Sequence, residues 1–233
     1  MKNKRTVCLI SGGLDSCVTA YIAKQLDYDI YSLTFSYGQQ HNKEIQCAKK
    51  ISSEVNSKKH IIFKLDLNIF GGSSLFTGEF KNEKKNISEI GKVIPSTYVP
   101  ARNTIFLSIA LAYSEVINAK SIYIGVNSTD YSGYPDCRPE YIKAFQNLTN
   151  IATKKSIEGN NTVIKSPLIN LSKAQIIKKG YNLNVPFKET WSCYRGSDKA
   201  CGKCDSCLLR LKGFKESNIK DPISYESFPE WYK

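Results

Sequence analysis

Val7-Cys8-Leu9-Ile10-Ser11-Gly12-Gly13-Leu14-Asp15-Ser16 is the stretch from which the rest of the chain is read. Val7 to Ile10 are apolar and mostly β-favouring, which predicts a buried strand. Ser11-Gly12-Gly13 predicts a sharp turn. Ser16 then stands where a helix N-cap belongs, ahead of the apolar run Cys17, Val18, Ala20, Tyr21, Ile22 and Ala23. A strand, a glycine turn and a helix start aim several backbone N–H groups outward, where the helix dipole adds about half a positive charge. Such a place binds anions, and phosphate is its usual occupant.

The string serine-glycine-glycine-x-aspartate-serine resembles the PP-loop of ATP pyrophosphatases. That resemblance implies a grip on the β- and γ-phosphates, release of pyrophosphate and transfer of AMP to the substrate. A Walker A loop needs Gly-x-x-x-x-Gly-Lys-Ser/Thr. The nearest approach, Gly196 to Lys203, has one residue too many between its glycines and ends on Cys204. The bland alternative for Ser11 to Ser16 is an ordinary βα turn.

With 233 residues, the chain has room for one good-sized core, or one α/β domain with a small appendage. Hydrophobic content of 41% with 23% charged residues is that of an ordinary soluble globular protein. No apolar run approaches the ~20 residues of a membrane span. The basic start Met1-Lys2-Asn3-Lys4-Arg5 precedes an apolar stretch too short for a signal peptide, so the expectation is a cytoplasmic chain. Its eight cysteines are then thiols or metal ligands rather than disulfides. The net charge of +12 points to a polyanionic partner, either nucleic acid or a small anion such as ATP. It is equally the charge of a solvated surface, because the lysines are dispersed as singles and pairs and no basic stripe interleaves with aromatics.

Along the chain, a helix is predicted from Ser16 to Leu26, a second strand over Ile30 to Phe35, a helix over His41 to Val55 and a third strand over His60 to Leu65. This βαβαβ opening is the doubly wound pattern, whose ligands sit beyond the carboxyl ends of the strands. Ser36-Tyr37-Gly38-Gln39 falls at such an end and is a place for adenine or ribose. From Leu67 to Tyr98 the periodicity fails, which predicts a long loop; whether it serves as a lid the sequence leaves open. Order resumes in an apolar helix over Ile105 to Ile117, a fourth strand over Ser121 to Val126 and a polar, aromatic loop to Arg138. A helix from Pro139 to Ile151, a short strand at Val163-Ile164 and a helix from Lys173, capped by Ser172 and stopped at Gly180, complete this part.

The tail changes character. Cys193 is followed by Cys201-Gly202-Lys203-Cys204-Asp205-Ser206-Cys207, two overlapping Cys-x-x-Cys pairs with a fourth cysteine in reach. Tetrahedral zinc needs four thiolates at about 2.3 Å, and one Cys-x-x-Cys bend supplies two of them. An iron–sulfur cluster is the alternative, since Cys-x-x-Cys-x-x-Cys also occurs in ferredoxins. Cys8, Cys17, Cys47 and Cys137 lie alone and read as packing residues, with Cys137 the one to watch. Two regions are expected: an ATP-binding and catalytic part over residues 1–188 and a zinc-binding segment over 189–233.

Taken with the loop, three further phrases resemble one family: Val99-Pro100-Ala101-Arg102-Asn103, Asp130 through Glu140, and Thr190-Trp191-Ser192-Cys193-Tyr194 with the cysteine cluster. The family is 7-cyano-7-deazaguanine synthase of queuosine biosynthesis. The resemblance implies an α/β, doubly wound, mostly parallel PP-loop fold with a small Cys₄ tail. It implies the substrate 7-carboxy-7-deazaguanine, ammonia as nitrogen donor, ATP with Mg²⁺, one structural Zn²⁺ per subunit and a homodimer, with neither membrane nor nucleic acid required. ATP is then expected at Ile10, Ser11, Gly12, Gly13, Leu14, Asp15, Ser16 and Phe35, and zinc at Cys193, Cys201, Cys204 and Cys207. Asp15, Arg102 and Lys173 are the expected catalytic residues. Tyr134, Asp136 and Arg138 are expected to meet the deazaguanine. Two rivals stay open: a PP-loop enzyme that modifies tRNA directly, and a zinc-ribbon adaptor that binds nucleic acid.

Overall fold

The computed structural model describes residues 4–39, 42–78, 87, 90, 93–128 and 133–232. Five strands form one sheet: β1 (Arg5–Leu9), β2 (Asp29–Ser36), β3 (Lys59–Lys64), β4 (Ser121–Tyr123) and β5 (Val163–Lys165). Their order is β3-β2-β1-β4-β5, and every pairing is parallel, with Val7 opposite Tyr31 on one side and Ile122 on the other. Parallel strands need crossovers. These are α1 (Leu14–Gln25) and α2 (Lys43–Glu54), then α3 (Ser74–Thr77) and α4 (Arg102–Val116), then α5 (Pro139–Thr149) and α6 (Lys154–Ile157). α7 (Lys173–Asn182) and α8 (Asp205–Ser217) follow the last strand.

Side chains alternate across the strands, so the sheet has two cores. Cys8 and Ile10 pack on one face with Leu14, Val18, Ile51, Ile176, Ile177 and Phe214, from α1, α2, α7 and α8. Val7 and Leu9 pack on the other with Leu33, Phe35, Leu107, Leu111, Ile122 and Phe145, chiefly under α4 and α5. Each fully buried Ile or Leu contributes about 1.5–3 kcal/mol, so the layers are held by both faces of β1. A third, smaller cluster gathers Trp191, Ala200, Leu211 and Tyr225 around the four tail cysteines. No helix among the described residues is long and apolar enough to cross a membrane.

The chain runs outward from β1 to β2 and β3, then returns to place β4 and β5 on the opposite side. Strand order therefore reverses between β1 and β4. A crevice opens beyond their carboxyl ends, and the Ser11–Ser16 loop occupies it.

Several boundaries differ from the sequence reading. α1 starts at Leu14 with Gly13 as its N-cap, so Ser16 lies inside the first turn. Its hydroxyl bonds back to the Gly13 carbonyl at 3.0 Å and to Ser11 Oγ at 3.0 Å, which takes the place of side-chain capping. α4 begins three residues early, at Arg102. α7 is capped as expected, by a reciprocal Ser172–Gln175 pair, but runs through Gly180 to Asn182. Gly180 is small for packing reasons: a Cβ there would sit 2.6 Å from Phe187 and 2.8 Å from Val18. The aperiodic region holds a 3₁₀ turn at Leu67–Phe70 and the short α3, capped by Ser73. Residues 81–86, and Asp130-Tyr131-Ser132 in the fourth-strand loop, lie outside the described residues. The tail helix α8, which starts from Cys204, has no strong apolar period and was not anticipated.

Candidate active site

A cavity of about 340 Å³ lies over the β1–β4 switch point. Its floor is the loop Ser11–Ser16. The N–H groups of Leu14, Asp15 and Ser16 open the helix and have no acceptor in a preceding turn. The loop is shaped from within: Gly13 N–H donates to Ser11 Oγ at 3.2 Å, and Ser11 N–H donates to Ser16 Oγ at 3.2 Å. Gly12 adopts φ +88°, and a Cβ there would fall 2.0 Å from the Glu44 carbonyl oxygen. Only glycine lets α2 close on the loop in this way.

One wall is aromatic. Phe35 at the end of β2 stacks on Phe106 of α4, with centroids 3.9 Å apart and planes 3° from parallel, and Tyr37 meets Phe106 edge-on at 5.5 Å. Arg102 enters between them. Its Nη1 donates to Tyr37 Oη at 3.2 Å, and its guanidinium lies 5.6 Å from the Tyr37 ring and 5.9 Å from the Tyr134 ring. It makes no ion pair among the described residues, although the Asp136 and Glu44 carboxyls lie near enough to feel its charge. Opposite, Lys173 Nζ donates to both oxygens of Asp15 at 2.6 Å. That pair fixes a cation at the mouth of the phosphate loop. Glu44, on the first turn of α2, also lines the cavity, and burial lifts its carboxyl to about 7 against the opposing pull of Arg102.

The residues expected for base recognition separate here. Tyr134 lines the cavity and shares a 3.0 Å hydrogen bond with Thr97 Oγ1. Asp136 is buried behind the wall: its Oδ2 accepts from the Asn103 N–H at 2.9 Å, and its carbonyl accepts from Asn103 Nδ2 at 3.1 Å. It thereby caps the start of α4, the turn that carries Arg102. Arg138 is exposed at the head of α5 and is not part of the cavity lining. Cys137 does reach the cavity, but burial pushes its thiol up to about 12, and Asn103 Nδ2 donates to its sulfur at 3.3 Å. At neutral pH it is a neutral thiol and a poor nucleophile.

Sequence reasoning passed over Glu44, Phe106 and Arg210, all of which line the cavity. Glu44 sits on the polar side of an amphipathic helix and reads as a solvated charge. Arg210 lies in a tail helix whose period is weak. Only the packing of α2 and α8 against the loop brings them to the site.

The tail closes the remaining side. Trp191 N–H donates to the Gly12 carbonyl at 2.9 Å, and Lys43 Nζ stands 3.7 Å over the Trp191 ring while donating to the Ser197 carbonyl at 2.6 Å. Beyond it, the sulfurs of Cys193, Cys201, Cys204 and Cys207 all lie within 4.8 Å of one another, with 3.9 Å between Cys201 and Cys207. A tetrahedron with 2.3 Å metal–sulfur bonds has edges of about 3.8 Å, so the four residues fit a thiolate-bound ion. Backbone N–H groups of Arg195 and Cys201 point at the Cys193 sulfur, and those of Lys203 and Cys204 at the Cys201 sulfur, at 3.3–3.4 Å. Such donors stabilise thiolates.

Comparison with known proteins narrows the reading. Residues 5–218 match the family model described as Queuosine biosynthesis protein QueC. The chain belongs to that family. A relative named 7-cyano-7-deazaguanine synthase, from Coxiella burnetii (strain RSA 331 / Henzerling II), is 52% identical over 226 residues, covering 95% of this chain and 98% of that one. A relative of the same name from Syntrophus aciditrophicus (strain SB) is 52% identical over 228 residues, with 96% and 98% covered. One from Picrophilus torridus is 51% identical over 229 residues, with 98% and 95% covered. Among solved structures, NMN synthetase from Francisella tularensis superposes with a TM-score of 0.49 at 16% identity, over 94% of this chain and 79% of that one.

Proposed function

We propose that this protein is an ATP-dependent synthase that converts 7-carboxy-7-deazaguanine and ammonia into 7-cyano-7-deazaguanine for queuosine biosynthesis. The observation that carries the reading is a single cavity holding an open helix N-terminus, the guanidinium of Arg102 and an aromatic wall. A carboxylate is a poor electrophile. Adenylation turns its oxygen into a leaving group, ammonia attack gives the amide, and a second activation of the amide oxygen followed by its loss gives the nitrile.

In this reading Ser11, Gly13, Leu14, Asp15 and Ser16 receive the phosphates, with Gly12 shaping the turn and Ile10 and Phe35 bordering the adenine side. Mg²⁺ accompanies ATP. Lys173, steered by Asp15, and Arg102 neutralise charge as pyrophosphate departs. The work is positioning and charge stabilisation rather than covalent catalysis. Tyr134 is the expected contact to the deazaguanine. Asp136 serves indirectly by fixing Asn103 and hence Arg102, and Arg138 is a residue of the rim. The segment from residue 189 on holds one Zn²⁺ in a closed, structural site, which supplies rigidity rather than chemistry. The protein works as a cytoplasmic homodimer and needs no nucleic acid.

The test is mass spectrometry after incubation with the acid, ammonium, Mg²⁺ and ATP. The expected product has lost both carboxyl oxygens and gained one nitrogen, with AMP and pyrophosphate formed. Unchanged acid, with AMP formed only when tRNA is added, would overturn the proposal in favour of an RNA acceptor.

A further inference from the structure

A reaction that draws its nitrogen from free ammonium has a proton to dispose of before it has a nucleophile, since ammonium carries no lone pair. The acids lining the cavity are Asp15 and Glu44. Asp15 is engaged at both oxygens by Lys173. Glu44 accepts no hydrogen bond and forms no ion pair among the described residues, although its backbone is pinned against Gly12. An unpartnered carboxylate facing a cavity marks a place for a cationic or N–H-bearing ligand. From this placement we infer that Glu44 is the subsite for ammonium and the base that takes its proton.

The step balances as follows. One ammonium N–H bond breaks, and its proton goes to the Glu44 carboxylate. The freed lone pair forms the C–N bond at the carbonyl carbon of the acyl adenylate. The C–O bond to AMP then breaks, its electron pair leaving with AMP, and the surplus proton on nitrogen passes to the departing phosphate or to water. The groups that face Glu44 set its basicity. Tyr37, which follows β2, and the Cys47 thiol on α2 are neutral at working pH, while Arg102 on α4 supplies the one opposing charge. Burial outweighs Arg102, so the carboxyl rests at about 7, the range in which a general base is most effective near neutral pH.

This inference rests on the synthase reading, and its test separates the two. Glu44→Gln keeps the shape and removes the base. Nitrile formation from ammonium is expected to fall at least ~100-fold, the usual worth of a general base. Exchange of pyrophosphate into ATP, driven by the deazaguanine acid alone, is retained. Hydroxylamine is already uncharged at neutral pH, so it still captures the adenylate as a hydroxamate. Glu44→Asp, which keeps a carboxylate, recovers part of the ammonium-dependent rate. In the unmodified enzyme at saturating ammonium, the rate falls as pH drops through about 7, because the base must be ionised. Equal losses with ammonium and hydroxylamine would overturn the proposal. So would loss of the exchange reaction in a variant whose circular dichroism is unchanged, which would assign Glu44 to the donor edge of the base instead. If the unmodified enzyme forms no adenylate from this acid, it is the synthase reading that fails.

Discussion

The Ser11–Ser16 loop and the cysteine-bearing tail each carry a glycine-containing turn that opens a helix, yet their polar groups are treated in opposite ways. Around the tail, almost every donor has an acceptor. Arg210 gives two hydrogen bonds to Asp221 at 2.7 and 3.0 Å, one to Thr190 Oγ1 and one to the Phe187 carbonyl, and Tyr225 Oη also donates to Asp221. Around the loop, among the described residues, the first N–H groups of α1 have no acceptor in a preceding turn, Arg102 gives one hydrogen bond, to Tyr37 Oη, and the Glu44 carboxylate accepts none. Buried polar groups left in that condition destabilise a fold by about 1–3 kcal/mol each, so a chain keeps them where a ligand completes them. The closed region holds the structure in place and the open one binds.

That contrast predicts where substitutions act. Cys204→Ser removes one of the four thiols of the proposed zinc site, and such closed sites are worth on the order of 10 kcal/mol to folding. Zinc content and solubility should fall together, and metal analysis of soluble protein that stays zinc-replete would disprove the ligand set. Asp221→Ala strands the buried Arg210 charge, which typically costs about 3–5 kcal/mol. For a chain of this length the melting temperature should drop on the order of 10 °C, read by thermal unfolding with zinc retained. Asp15→Asn belongs to the open region. ATP turnover should fall at least ~100-fold, about 2.7 kcal/mol of barrier, when Lys173 loses its anchor. Asparagine keeps the shape and one acceptor oxygen, and the site opens on the cavity, so melting should fall less than in Asp221→Ala. A variant that melts early but still turns over ATP would invert the comparison.

The two regions also differ in how well they could be read in advance. Five strands, the glycine loop, the Ser172 cap and the cysteine quartet were legible because each rests on local chemistry: short apolar runs, a turn that only glycine makes, a side chain reaching its own backbone, and thiol spacing. The extent of α7 was not legible, because Gly180 is a stop signal by local rules and is overruled by Phe187 and Val18 pressing where a side chain would be. That Asp136, expected at the base, also caps the start of α4 was not legible either, since its partner Asn103 lies thirty-three residues earlier in the chain.

By itself, then, the sequence determined the parallel α/β layering, the position of the glycine loop at the end of β1 and the four thiols that gather in the tail. Period, turn chemistry and ligand spacing act over only a few residues, and a linear chain carries them intact. Only the tertiary structure decided that Glu44 lines the cavity, that Arg102 lies against the Tyr37 and Tyr134 rings, and that Trp191 clasps Gly12. Those arrangements depend on which helix packs over which strand end, which is a sum over distant contacts with no local signature.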